Sequence, residues 1–169
     1  MPENEELEQC YVAAMRILSY RFNSEAELRR KLTMKKRFDA ATIDATLERL
    51  RGEKWLDDVR FAGAFVRSRT NKRIGKNRIV RELRAAGVSG DDTESAIATN
   101  VDKDQQEASL RELLGKRARI LARRHGESFL ETSEGRNKLA VYLLKQGYDA
   151  ALVYEALKEI RVAHHQSDS

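Results

Sequence analysis

Apolar residues recur three and four positions apart along nearly the whole chain, and no run of strict apolar/polar alternation is long enough to suggest a strand. The pattern predicts helices throughout. Pro2 is the only proline, so beyond it no residue locks φ or removes an amide donor. Helix starts are marked as well: Ser24 followed by Glu27 has the capping-box spacing, and Asp39, Asp57, Ser89 and Asp149 stand where an N-cap side chain would accept a free amide.

Aligning those caps exposes an internal repeat. Leu28/Leu32, Ile79/Leu83 and Leu139/Leu143 are three i, i+4 apolar pairs, and each leads to a turn: Arg37-Phe38-Asp39, Gly87-Val88-Ser89 and Gly147-Tyr148-Asp149. The two glycines suit a left-handed helix C-terminus, a pattern that Arg37 breaks. A second helix follows each turn, with Ile43/Leu47, Thr93/Ile97 and Val153/Leu157 on its inner stripe. A further helix precedes each pair, roughly at 12–21, 61–72 and 110–124. The expected fold is all-α: three tandem three-helix repeats that pack on their neighbours into an elongated, curved array. The expected boundaries are a flexible acidic N-terminus at 1–9, repeats at 10–57, 58–102 and 103–161, and a flexible tail at 162–169.

Bulk properties narrow the function. The chain is 35% charged and 41% hydrophobic, which is apolar enough to fold. A lone Cys10 cannot form an internal disulfide, the first residues lack a signal-peptide pattern, and no apolar run approaches a bilayer span. A monomeric cytoplasmic protein away from the membrane is expected, with no sustained coiled-coil seam for self-association.

Charge is unevenly spread. From Arg67 to Arg84 eight basic residues (Arg67, Arg69, Lys72, Arg73, Lys76, Arg78, Arg81 and Arg84) face one acid, Glu82. That stretch nets +7, so the remainder of a chain whose total is +5 nets −2. On the helix from Lys76, Arg78 and Arg81 lie off the Ile79/Leu83 stripe, while Arg69, Lys72 and Arg73 would share a face of the preceding helix. A second cluster, including Arg117, Arg123 and Arg124, sits on the first helix of the third repeat and could extend the same track. Such concentration points to a polyanionic partner.

Leu56-Asp57-Asp58-Val59-Arg60-Phe61 reads as structural: Asp57 caps the next helix, Asp58 favours its positive end, and Phe61 enters the core. Trp55 is expected to pack between repeats. Phosphate-loop, dinucleotide, zinc-protease and nucleophile-elbow motifs are absent, His125 is isolated, and His164 and His165 lie in a polar stretch. No catalytic residue, metal or cofactor is expected.

Ser24 to Leu32, Leu56-Asp57-Asp58-Val59-Arg60-Phe61-Ala62, Val66-Arg67-Ser68-Arg69, Gly75 to Ile79, Glu82-Leu83 and Gly87-Val88 resemble, in order and spacing, the RecX regulatory proteins of bacteria. Lys54 departs from that pattern, standing where the family often has glycine. The resemblance implies a regulator that binds the RecA–single-stranded DNA filament, in its groove, and restrains RecA ATPase and strand exchange, thereby modulating recombination, DNA repair and the SOS response. The reading from the residues leaves open a freestanding helical protein that binds nucleic acid through its basic face.

Overall fold

The computed structural model describes residues 2–165, with side chains over 4–160. Nine α-helices follow one another among the described residues: α1 (Pro2–Leu18), α2 (Glu25–Met34), α3 (Ala40–Gly52), α4 (Asp58–Asn71), α5 (Lys76–Ala85), α6 (Gly90–Asn100), α7 (Lys103–His125), α8 (Ser133–Lys145) and α9 (Ala150–His165). A short 3-10 turn, Glu127–Glu131, intervenes between α7 and α8.

Capping explains where these helices begin. Ser24, Asp39, Asp57, Ser89 and Asp149 each accept a hydrogen bond from a backbone N–H two or three residues on. The Glu27 carboxylate, expected to complete a capping box, pairs with Arg21. Left-handed turns end several helices: Gly87 and Gly147 have φ of +80° and +94°, and Lys36, Lys54 and Arg73 adopt the same region without being glycine. Lys54 thus stands at a position whose backbone favours glycine.

Packing groups the helices into two compact units. One holds the chain up to Phe65 together with Glu82–Ala96; the other holds Val66–Arg81 and the chain from Ile97 onward. The cut falls inside α4, α5 and α6. In the first unit Cys10, Ala14, Leu28, Leu32, Phe38, Ile43, Leu47, Leu50 and Leu56 form one core. In the second, Leu110, Leu114, Leu121, Leu130, Leu139, Leu143, Tyr148, Val153 and Ala156 form another. Each fully buried leucine contributes roughly 2 kcal/mol through removal of its side chain from water.

Both units contain the same kind of junction, in which a helix N-terminus lands on a later helix–helix turn. In the first unit, Ser24 Oγ donates to the Ala86 carbonyl at the α5–α6 turn, and the Ala26 side chain fills the place a Cβ on Gly87 would take. Asp58 Oδ1 accepts from Glu25 N at 2.9 Å, capping α2 from the start of α4. In the second unit, Gly75 N donates to Gln146 O at 2.8 Å and Asn77 N to Gly147 O at 2.9 Å, at the α8–α9 turn. Gln106 Oε1, on α7, accepts from Lys76 N at 3.0 Å and so does for α5 what Asp58 does for α2.

Several expectations change. The N-terminal stretch expected to be flexible is helical from Pro2 within α1, where Glu8 pairs with Arg49 and Gln9 bonds Arg37. Of the tail expected at 162–169, residues 162–165 belong to α9, and 166–169 lie outside the described residues. Trp55 remains 51% exposed, because Leu56 takes the buried position beside it. Asp58 serves α2 as well as the positive end of its own helix. The third repeat also carries the unforeseen 3-10 turn, whose Phe129 carbonyl sits where a Cβ on Gly135 would go.

Candidate polyanion-binding surface

The junction in the second unit positions most of the basic stretch. Because α4 ends at Asn71, Lys72 and Arg73 lie in a turn and do not continue the helical face of Arg69. That turn is held from three directions: Ile74 N reaches Arg69 O, the Arg73 carbonyl accepts from the Tyr148 hydroxyl at 2.8 Å, and Gly75 docks on Gln146. Tyr148 is 2% exposed, and burial pushes its phenol up to about 12, so it remains a neutral donor.

The predicted cations divide by role. Arg73 Nε donates to Glu112 at 2.6 Å, and Glu112 also pairs with Lys116 at 2.7 Å; these two cations hold its carboxyl below the usual range. Arg78 is half-buried, its Nη1 donating to Gln146 Oε1 at 3.3 Å and its Cβ lying against Gly147, so it supports the junction. Arg67 is exposed and reaches Asn100 Oδ1 at 3.0 Å; Arg69 is half-buried on α4. Arg117 lies over the Tyr142 ring at 5.0 Å. Arg123 and Arg124 are exposed in the last turn of α7, where the negative end of the helix favours them.

Lys72, Lys76 and Arg81 differ from these. All three are exposed, and none makes a side-chain hydrogen bond or ion pair among the described residues. Their charge is therefore available to a ligand. Arg84 is also exposed but belongs to the first unit. The second unit consequently holds seven of the eight predicted cations of the middle repeat and all three from the third, with Glu112 linking Arg73 to α7.

Of the structural motif residues, Leu56 and Phe61 are buried and Arg60 lies over the Phe22 ring at 5.3 Å, while Gly75 lies against the Gly147 backbone and Gly87 against the Ala26 methyl. Sequence reasoning missed Gln106 and the second role of Asp58. Both caps cross from one repeat to another, and only the position of polar residues near the start of α4 and α7 hints at them.

Among the described residues no helix is long and apolar enough to cross a membrane, and no three His, Cys, Asp or Glu side chains gather as a metal ion would require. Three-helix repeats whose helix N-termini dock on later turns, displaying cations that have no side-chain partner among the described residues, define an all-helical repeat protein with a basic surface.

Comparison with known proteins agrees. A family model described as the first three-helix domain of RecX matches residues 10–50, and one described as the second three-helix domain of RecX matches 57–97. The chain is 35% identical over 136 residues to the regulatory protein RecX of Xanthomonas campestris pv. campestris, covering 80% of this chain and 78% of that one. It is 29% identical over 160 residues to the regulatory protein RecX of Amycolatopsis mediterranei, covering 94% and 87%. Against the regulatory protein RecX of Oceanobacillus iheyensis it is 27% identical over 161 residues, covering 95% of this chain but 56% of that one. The crystal structure of RecX from Lactobacillus salivarius shares the fold, with a TM-score of 0.75 at 22% identity, covering 94% of this chain and 99% of that one. This chain belongs to the RecX family of regulatory proteins.

Proposed function

We propose that this protein is a cytoplasmic regulator, not a catalyst, that binds the RecA–single-stranded DNA filament within its groove and inhibits RecA ATPase and strand exchange. Recombination, DNA repair and the SOS response would be modulated as a result. The observation that carries this reading is the set of uncommitted cations Lys72, Lys76 and Arg81 in the second unit, all within the segment matched by the second RecX domain. Arg67, Arg69, Arg117, Arg123 and Arg124 extend the basic surface, while Arg73 and Arg78 hold it in place. Charges of this kind attract phosphates or acidic protein faces, and their attraction weakens as salt screens it.

The test is RecA-catalysed ATP hydrolysis on single-stranded DNA, with this protein titrated in below one molecule per RecA. Inhibition is expected, and the triple variant Lys72→Glu/Lys76→Glu/Arg81→Glu is expected to lose it while keeping the wild-type helical signal. No inhibition by the wild type, together with tight binding to bare DNA, would instead favour a freestanding nucleic-acid-binding protein. Inhibition retained by the variant would move the contact surface elsewhere.

A further inference from the structure

Helix N-termini dock at two of the three corresponding turns: α2 at the α5–α6 turn and α5 at the α8–α9 turn. The α2–α3 turn is the equivalent place in the first repeat, and among the described residues it receives no helix N-terminus. Its chemistry differs too. Where the other turns have Gly87 and Gly147, which let a neighbouring helix approach, this one has Lys36 at φ 51° followed by Arg37. Two cationic residues therefore stand where the other turns have a glycine.

Beside this turn lies a cleft of about 470 Å³, with Ile17 and the buried Phe38 in its floor and Arg16, Tyr20, Lys35 and Arg37 at its rim. Three cations and no acid line it. Arg37 is partly engaged, donating to Gln9 Oε1 at 2.7 Å and lying over the Phe38 ring. Arg16 and Lys35 are exposed and make no side-chain hydrogen bond or ion pair among the described residues. Tyr20 is 85% exposed, so its ring is presented to solvent at the mouth of the cleft.

An aromatic face beside cations with no protein partner is what single-stranded nucleic acid uses: the ring offers a stacking platform for an unpaired base, and the cations neutralise flanking phosphates. An acidic peptide would engage the cations but gain nothing specific from the ring. A duplex keeps its bases stacked and has none to place on Tyr20. We propose that this cleft is a single-stranded nucleic-acid site, with a base on Tyr20 and phosphates at Arg16 and Lys35. It is separate in sequence from the Lys72, Lys76 and Arg81 surface and needs no RecA.

Fluorescence anisotropy of a labelled oligothymidylate about 15 nucleotides long, with the full chain and without RecA, tests the site directly. Tyr20→Ala is expected to weaken binding about tenfold, because stacking on one aromatic ring is lost. Tyr20→Phe keeps the ring and should bind as the wild type does. Arg16→Glu/Lys35→Glu should weaken binding and flatten its salt dependence. All three substituted side chains are exposed, so circular dichroism should match the wild type in each variant.

Binding by Tyr20→Ala equal to wild type would overturn the proposal, whether or not the Lys72→Glu/Lys76→Glu/Arg81→Glu variant lost affinity. A wild type that preferred an oligoglutamate peptide, with Tyr20→Ala indifferent and charge reversal effective, would assign the cleft to an acidic protein segment instead. Because RecA is absent from this assay, its outcome and that of the ATPase titration can fail independently.

Discussion

The junctions in the two units solve one problem with different residues. In both, the N-terminus of a helix must satisfy its free amides while pressing against a left-handed turn, and in both a side chain from the next repeat supplies a cap. The first unit uses side chains at each step: the Ser24 hydroxyl, the Ala26 methyl and the Asp58 carboxylate. The second uses bare backbone, with Gly75 laid directly on Gly147, and a neutral amide, Gln106, as the cap. Close backbone contact leaves no atom that a substitution can take away. Side-chain contact does, but it brings a titratable group into a half-buried place.

The sharpest way to separate the two is to add one methyl group to each. A Cβ on Gly75 would lie 2.3 Å from the Gly147 carbonyl carbon, so Gly75→Ala must displace backbone and is expected to cost ~3 kcal/mol, measured from urea unfolding midpoints. A Cβ on Gly87 would lie 2.3 Å from the Ala26 Cβ, which is fixed to the α2 backbone and cannot turn aside, so Gly87→Ala is expected to cost ~3 kcal/mol as well, including its positive φ. Adding Ala26→Gly should recover part of that loss, whereas no side chain can be removed to relieve Gly75→Ala. No recovery in the double variant would erase the proposed difference.

The caps should differ in their response to pH. Burial is the main cause that raises the Asp58 carboxyl above its ordinary range, with Glu25, Asp92 and Asp57 adding repulsion, while Gln106 does not titrate. A carboxyl raised by folding favours the protonated form in the native state. Its contribution to stability is therefore present below the unfolded value and declines as pH rises through the folded one. Asp58→Asn keeps an oxygen to accept from Glu25 N without the charge. Between about pH 4 and about pH 7 the wild type should thus lose stability relative to Asp58→Asn. A constant difference over that range would show that Asp58 is solvated better than its surroundings suggest.

The smallest expected effect concerns backbone strain close to the first junction. Lys54 adopts φ 61° directly before Trp55 and Leu56, where a side chain is disfavoured. Lys54→Gly should therefore stabilise the fold by ~0.5 kcal/mol, the relief of strain being partly offset by the extra freedom of glycine in the unfolded chain. Thermal unfolding of the single variant measures it. At Arg73, with φ 57°, glycine would also remove the ion pair with Glu112, so the two positions should not respond alike.

Much of this molecule could be read before any coordinates. Periodicity and caps are local properties, and the five predicted N-caps all accept the amides expected of them. The inner stripes Leu28/Leu32, Ile79/Leu83 and Leu139/Leu143 are buried because a helix with one apolar face has no better place for it. Concentration of charge between Arg67 and Arg84 is likewise a property of composition. What those charges do is not, since Arg73 and Arg78 are spent within the fold while Lys72, Lys76 and Arg81 are left to solvent.

Helix identity, helix order and the location of the basic stretch were therefore settled by the amino-acid sequence, because each depends on residues within a few positions of one another. Tertiary structure alone decided that Asp58 and Gln106 cap helices more than 29 residues away in sequence, that Gly75 must lack a side chain because Gly147 occupies its space, and that Tyr20 stands exposed beside uncommitted cations. Those facts rest on which distant surfaces meet, and a hydrogen-bond donor or a methyl-sized gap leaves no periodic trace in the chain that supplies it.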